Sequence, residues 1–295
     1  MALRWSLLVL IVVAAPSVVD AQWYEPTGFR PQHGDARHLA FAELSLFSGS
    51  VGSGLGSAEG FALSPLVGGY FRVIDPVEVG FLWGFVQADG SSGGIEGSSF
   101  ETGNPYLQGA YRHDADTFVL RAGGGVTLPF ASSGSWLDPD DVAGQLGLLV
   151  SAAMHGLWSF WLWLPDRFTL VLPNARIDFA LQEQLVLAAE TSLGFMFYTG
   201  DGDADTEIGW QLAVEVGGRL LEGMMEVGLR LQLVTNLTAG DGEDAAQFMA
   251  QPFVRAHFGA GFCELRLAVN LDEEFGFSFD EGKVWGLHLA GGARF

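Results

Sequence analysis

The chain ends on a stretch in which apolar and polar positions alternate with period two. Trp285, Leu287, Leu289, Gly291, Ala293 and Phe295 share one face of an extended strand, and His288, Ala290, Gly292 and Arg294 share the other. Twelve such stretches follow one another, at 39–47, 63–73, 77–87, 106–113, 118–128, 168–179, 185–198, 208–219, 225–234, 248–258, 262–271 and 284–295. In a water-soluble protein each apolar face would need a second layer to cover it, and no amphipathic helices are available to do so. A sheet closed on itself, apolar outside and polar inside, satisfies its backbone and its apolar faces in lipid. The expected fold is therefore all-β, a single transmembrane antiparallel barrel of about twelve strands with long outer loops. The stretch 168–179 is the least regular, because its apolar phase slips at Pro173.

Composition bears on this in two places. Hydrophobic residues make up 49% of the 295-residue chain, yet no mature segment holds the roughly 20 consecutive apolar residues of a membrane-spanning helix. The N-terminus reads as an export signal: Arg4, an apolar run at 7–15, and Val19-Asp20-Ala21 before a cleavage point at Gln22. The expected organisation is a signal over 1–21, a periplasmic segment over 22–37 and a barrel over 38–295. Loss of the signal removes one charge of each sign, so the formal net charge stays at −21, which argues against a nucleic-acid partner. Cys263 is the single cysteine and falls on the apolar phase, as an inert lipid-facing thiol would.

Connections between the stretches alternate in length. Those at 74–76, 114–116, 180–184, 220–223 and 259–261 are short; those at 48–60, 88–103, 130–167, 199–207, 235–246 and 272–283 are long. Short periplasmic turns and long outer loops are the pattern of outer-membrane barrels. Charges obey the same polarity. Arg72, Arg112, Arg121, Arg176, Arg219, Arg230, Arg255, Arg266 and Arg294, with Glu43, Glu78, Asp178, Glu190, Glu215, Glu226 and Glu264, all fall on the polar phase. An arginine facing lipid at mid-membrane would cost about 2–4 kcal/mol. Tyr70, Tyr106, Tyr198, Trp210 and Trp285 lie near strand ends, where an aromatic girdle is expected.

From about residue 38 to Phe295 the chain resembles the outer-membrane β-barrel proteins of Gram-negative bacteria, porins and transporters among them. The most specific element is the closing pattern Leu287-x-Leu289-x-Gly291-x-Ala293-x-Phe295. The resemblance implies a bacterial outer-membrane location after export through the periplasm. It also implies lipid and lipopolysaccharide contacts, and presentation of the C-terminal strand to the barrel assembly machinery. It supplies no substrate.

The functional expectation is a pore passing a small solute through a charge-lined lumen. Its lining candidates are Arg121, Arg176, Glu190, Glu215, Arg219, Glu226, Arg230, Arg255, Glu264 and Arg266. A non-conducting structural or surface-interaction barrel with a salt-bridged interior is the alternative, because small barrels pack their own bores. Segment 130–167, with Trp136, Trp158, Trp161 and Trp163 and helical potential at 145–155, is long enough to imply function. It forms either a lid or constriction carrying Trp158, Trp161 and Trp163, or an interfacial continuation of the sixth strand. Catalysis is not expected. His257 and His288 point inward without a serine at a convincing neighbouring position, and a lipid-modifying enzyme is the remaining alternative. No cofactor is expected. The acidic outer loops suit loosely bound divalent cations, and Asp201, Asp203 and Asp205 begin like a calcium loop but lack its turn glycine and closing Glu.

Overall fold

A computed structural model describes residues 38–53, 56–92, 95–115, 117–131, 139–155, 157–182, 184–200, 205–221, 224–239, 246–271 and 285–295. The signal over 1–21, the segment over 22–37, and Asp201 and Asp203 lie outside them.

The strands are β1 (His38–Ser53), β2 (Gly56–Ile74), β3 (Val77–Ser92), β4 (Ile95–Thr102), β5 (Tyr106–Asp114), β6 (Phe118–Thr127), β7 (Arg167–Gln182), β8 (Leu185–Tyr198), β9 (Glu207–Leu220), β10 (Met225–Asn236), β11 (Ala246–Phe258), β12 (Gly261–Asn270) and β13 (Trp285–Arg294). Apart from β4 and β5, each neighbours its successor in antiparallel register, and β13 pairs with β1 from Leu39↔Arg294 to Leu46↔Leu287. That last pairing closes the sheet. β4 and β5 share β3 as their partner, β4 along 85–92 and β5 along 77–82, so they form one stave broken at 103–105. The barrel therefore has twelve staves, the number the periodicity predicts.

Polarity is inverted relative to a soluble protein. Val214, Val216, Leu229, Leu231, Leu265, Leu267 and Leu289 are exposed on the outside, whereas Glu215, Arg230, Glu264, Arg266 and His288 are buried. Of the sixteen inward charges predicted, all but Arg72, Arg219 and Arg294 are fully buried. Cys263 is exposed on the outer face. The phase slip expected at Pro173 is a register shift between Val171 and Asn174 in the β7–β8 ladder. Proline offers no N–H to a ladder and is accommodated at such irregularities.

Three expectations need correction. The segments 48–60 and 88–103 are not loops but strand extensions, pairing out to Ser53↔Gly56 and Ser92↔Ile95. Both segments are rich in Gly and Ser, so the ladder continues without any apolar alternation to announce it. The tyrosines at 70 and 106 are not girdle residues; both are buried and face the bore. Trp210 and Trp285 do lie on the outward phase of their strands. The segment after β6 is not an extended strand: it forms helix α1 (Pro139–Met154) and a short 3-10 helix, Phe160–Leu162.

Candidate functional site

The inward charges assemble into three groups along the wall. Glu78 on β3 meets Arg112 Nη1 at 3.4 Å and Arg121 Nη2 at 2.9 Å. On β7–β10, Arg176 contacts Asp178 at 2.9 Å and Glu190 at 3.1 Å, Arg230 also reaches Glu190 at 3.2 Å, and both arginines approach Glu215 at 3.9 Å. On β10–β12, Arg255 lies 3.5 Å from Glu226 and donates from Nε to Glu264 at 2.8 Å, and Arg266 pairs with the same Glu264. Strand register explains the partners: Glu226 faces Arg255, and Arg255 faces Glu264. A buried ion pair rarely gains much over an apolar one, but each partner is held because removing it strands the other. Nine of the ten predicted lining residues join these groups. Arg219 stands in register with Glu226 but is only half-buried.

The segment between β6 and β7 enters the bore. α1 packs against β3 and β4. At its end the backbone is pinned to another part of the wall: Asn270 Nδ2 on β12 donates to Ala153 O at 3.2 Å, and His288 Nε2 on β13 donates to Met154 O at 3.0 Å. Trp158 then lies under the Arg230 guanidinium, 4.6 Å from ring centre to Cζ. Trp161 and Trp163 are 2% exposed, so they are packed inside the bore rather than on a surface lid. Both need a wall without side chains. A Cβ on Gly194 of β8 would come within 2.8 Å of Trp161, and one on Gly84 of β3 would collide with the ring of Trp163. Glycine in a strand often marks such close approach.

Asn104, at the break between β4 and β5, holds the returning chain. Its Nδ2 donates to Trp161 O at 3.0 Å and Leu164 O at 2.7 Å, and its Oδ1 accepts from the N–H groups of Phe130 and Ala131, both at 2.9 Å. Its own N–H donates to Leu162 O at 2.7 Å. The side-chain amide is fully used and fully buried. The sequence reading missed it. Its one available signal was an Asn inside Gly103-Asn104-Pro105, a triplet that interrupts an otherwise extended run.

The inserted segment leaves open space against the wall. One cavity is lined by Leu66, Leu82, Tyr106, His155 and the three tryptophans. A second is lined by Glu78, Arg121 and Arg176. Tyr70, Gln108, Asn174 and Glu190 line both, so aromatic and charged surfaces meet across a shared boundary.

One expectation about histidine is overturned. Ser45 Oγ on β1 lies 2.7 Å from His288 Nδ1, so His288 does have a serine beside it. Glu43 Oε1 approaches the same Nδ1 at 3.1 Å, and the far nitrogen of the ring is committed to Met154 O. In a Ser-His-acid relay the acid holds the nitrogen opposite the serine. Here both sit on one nitrogen, so the set is not a relay. His155 Nε2 completes the group, 3.0 Å from Glu43 Oε1. These residues come from β1, β13 and the end of α1, and no sequence spacing links them.

No protein-family model matches the chain, and no curated protein sequence matches it. Solved structures do. The chain is similar to the COG4313 outer membrane channel from Pseudomonas putida F1, with a TM-score of 0.55 and 12% identity, over 90% of this chain and 100% of that one. It is also similar to the NanC porin, with a TM-score of 0.50 and 8% identity, over 87% of this chain and 98% of that one. In fold, the chain is a closed twelve-stranded antiparallel barrel of the outer-membrane type.

Proposed function

We propose that the chain is a channel of the bacterial outer membrane that passes a small solute through a bore narrowed by residues 139–166. The observation that carries this reading is the pair of adjoining cavities inside a closed barrel. One has an aromatic wall built by the inserted segment, and the other has charged walls. A solute with an apolar body and a charged or polar end matches both surfaces. Trp158, Trp161 and Trp163 set the constriction, while Arg121, Arg176 and Glu190 offer charge of both signs, so neither ionic sign is strongly excluded. The channel and porin folds among its structural neighbours support passage in general terms. Export through the periplasm, recognition of the strand ending at Phe295 by the barrel assembly machinery, and contact with lipopolysaccharide belong to the same reading. Loose binding of divalent cations by the acidic outer segments, Asp205 among them, does too.

A second reading has its own support. The ion-paired wall and a segment touching β3, β8, β10, β12 and β13 together resemble a plugged, non-conducting barrel. Single-channel recording separates the two. Discrete current steps for the intact chain, enlarged by deleting residues 141–156, support a constricted channel. A folded intact barrel that passes no current supports the plugged reading, with conduction after the deletion assigning the block to the segment and continued silence assigning it to the ion-paired wall. A lipid-modifying enzyme is disfavoured by the geometry at Ser45, which is fully buried inside the bore and away from the lipid face.

A further inference from the structure

The group at the end of α1 contains more hydrogen-bond acceptors than it can satisfy. His155 Nδ1 lies 2.7 Å from Ser151 O, and a carbonyl only accepts, so that nitrogen carries the proton. His288 Nε2 lies 3.0 Å from Met154 O, with the same consequence. In the neutral rings the remaining nitrogens, His155 Nε2 and His288 Nδ1, therefore present lone pairs. Both point at one carboxylate oxygen, Glu43 Oε1, at 3.0 and 3.1 Å. Ser45 has a single hydroxyl proton to share among Glu43 Oε1 at 3.2 Å, His288 Nδ1 at 2.7 Å and His155 Nε2 at 3.4 Å. Glu43 Oε2 is buried and finds no hydrogen-bond partner among the described residues. Without a bound ion, this convergence needs extra protons. With one such proton on a ring or on Glu43, and the Ser45 hydroxyl serving a second contact, one pair of facing lone pairs is still left inside the buried group.

We propose that Glu43, His155 and His288 form a site for a divalent first-row transition metal, with zinc as the reference ion. All three are buried, and the atoms they offer lie within 4.8 Å of one another. Two imidazoles and one carboxylate suit zinc, whose ligand atoms sit about 2.0–2.2 Å from the ion. Ligands on a tetrahedron of that size are separated by about 3.3 Å, close to the two nitrogen–oxygen distances here. Each histidine already donates its far N–H to a backbone carbonyl, the outer support that fixes the tautomer in metal sites. His155 borders the aromatic cavity, which gives an ion a route from the bore, and Ser45 Oγ lies beside all three ligands. A bound ion would fasten the end of α1 to β1 and β13 at once.

The test is cobalt(II) titration of the refolded, EDTA-treated barrel in detergent, followed by displacement with zinc. One cobalt per chain with the intense visible bands of a four-coordinate nitrogen–oxygen site is expected. His155→Ala and His288→Ala are each expected to weaken binding by about 100-fold or more, beyond the range seen for loss of an outer partner. His155 lies outside the strands, so His155→Ala keeps the test sound where His288→Ala fails to fold. Heat-dependent gel mobility checks the folded state of both. Weak octahedral bands that persist in both variants would place the ion on surface carboxylates and overturn the proposal, as would the absence of stoichiometric binding. The readout is the metal itself, so the outcome is independent of whether the bore conducts.

Discussion

The two sides of the barrel fill the bore by different means. Along β7–β12 the inward residues include nine charged ones, Arg176, Asp178, Glu190, Glu215, Glu226, Arg230, Arg255, Glu264 and Arg266, which pair with one another across strands among neutral neighbours. Along β1–β3 the inward residues include Leu39, Phe41, Phe47, Ala62, Leu66, Val86 and Ala88, all buried, and Gly84. A bore lined that way would be an apolar surface facing water. It is not, because α1 and the tryptophans behind it lie against that side. Outward apolar residues are covered by lipid on both sides of the barrel. Inward apolar residues need a protein partner, and the chain supplies one from between β6 and β7.

The contrast is sharpest where each mechanism is removed. Deleting residues 141–156 takes away the cover of β1–β3 while sparing every strand. It is expected to give the largest functional change, a several-fold rise in single-channel conductance with the barrel still folded. Arg255→Met on the other side strands Glu226 and Glu264 as buried, partly uncompensated charges. It should cost about 3–5 kcal/mol in urea unfolding while leaving the inserted segment in place. Asn104→Ala leaves buried carbonyl and N–H groups at 130–131 and 161–164 without partners. A loss of about 2–3 kcal/mol is expected, with increased proteolysis of the segment ahead of the wall. Gly84→Leu drives a side chain into the seat of Trp163. It is expected to shift tryptophan fluorescence and raise conductance with little change in wall stability. The smallest effect is expected at Cys263→Ser on the lipid face, within about 0.5 kcal/mol.

Much of the barrel was legible in the sequence, because lipid outside and charge inside impose period two on every crossing. The twelve staves, the closing strand at 285–294, the irregularity at Pro173 and the inward charges were readable from alternation alone. The extensions of β1–β4 were not, since their Gly- and Ser-rich stretches carry no apolar alternation to mark a strand. Neither were the inward tyrosines, whose position near strand ends fits a girdle as well as a bore. β1 carried a sign that went unread. Leu39, Phe41 and Phe47 face in while Leu44 and Leu46 face out, so both faces are apolar. In a barrel, such a strand implies something inserted against its inner face. Asn104 and the Glu43–His155–His288 group depend on contacts between distant segments, which periodicity does not encode.

The measurement that bears most directly on the inserted segment is cross-linking across the bore. In a Cys263→Ser background, Ala153→Cys at the end of α1 and Asn270→Cys on β12 replace residues joined by a 3.2 Å hydrogen bond. Refolding under mild oxidation is expected to join the two by a disulfide in high yield, and to leave either single variant unlinked. A folded barrel in which the pair does not cross-link would contradict the placement of residues 139–166 inside the bore.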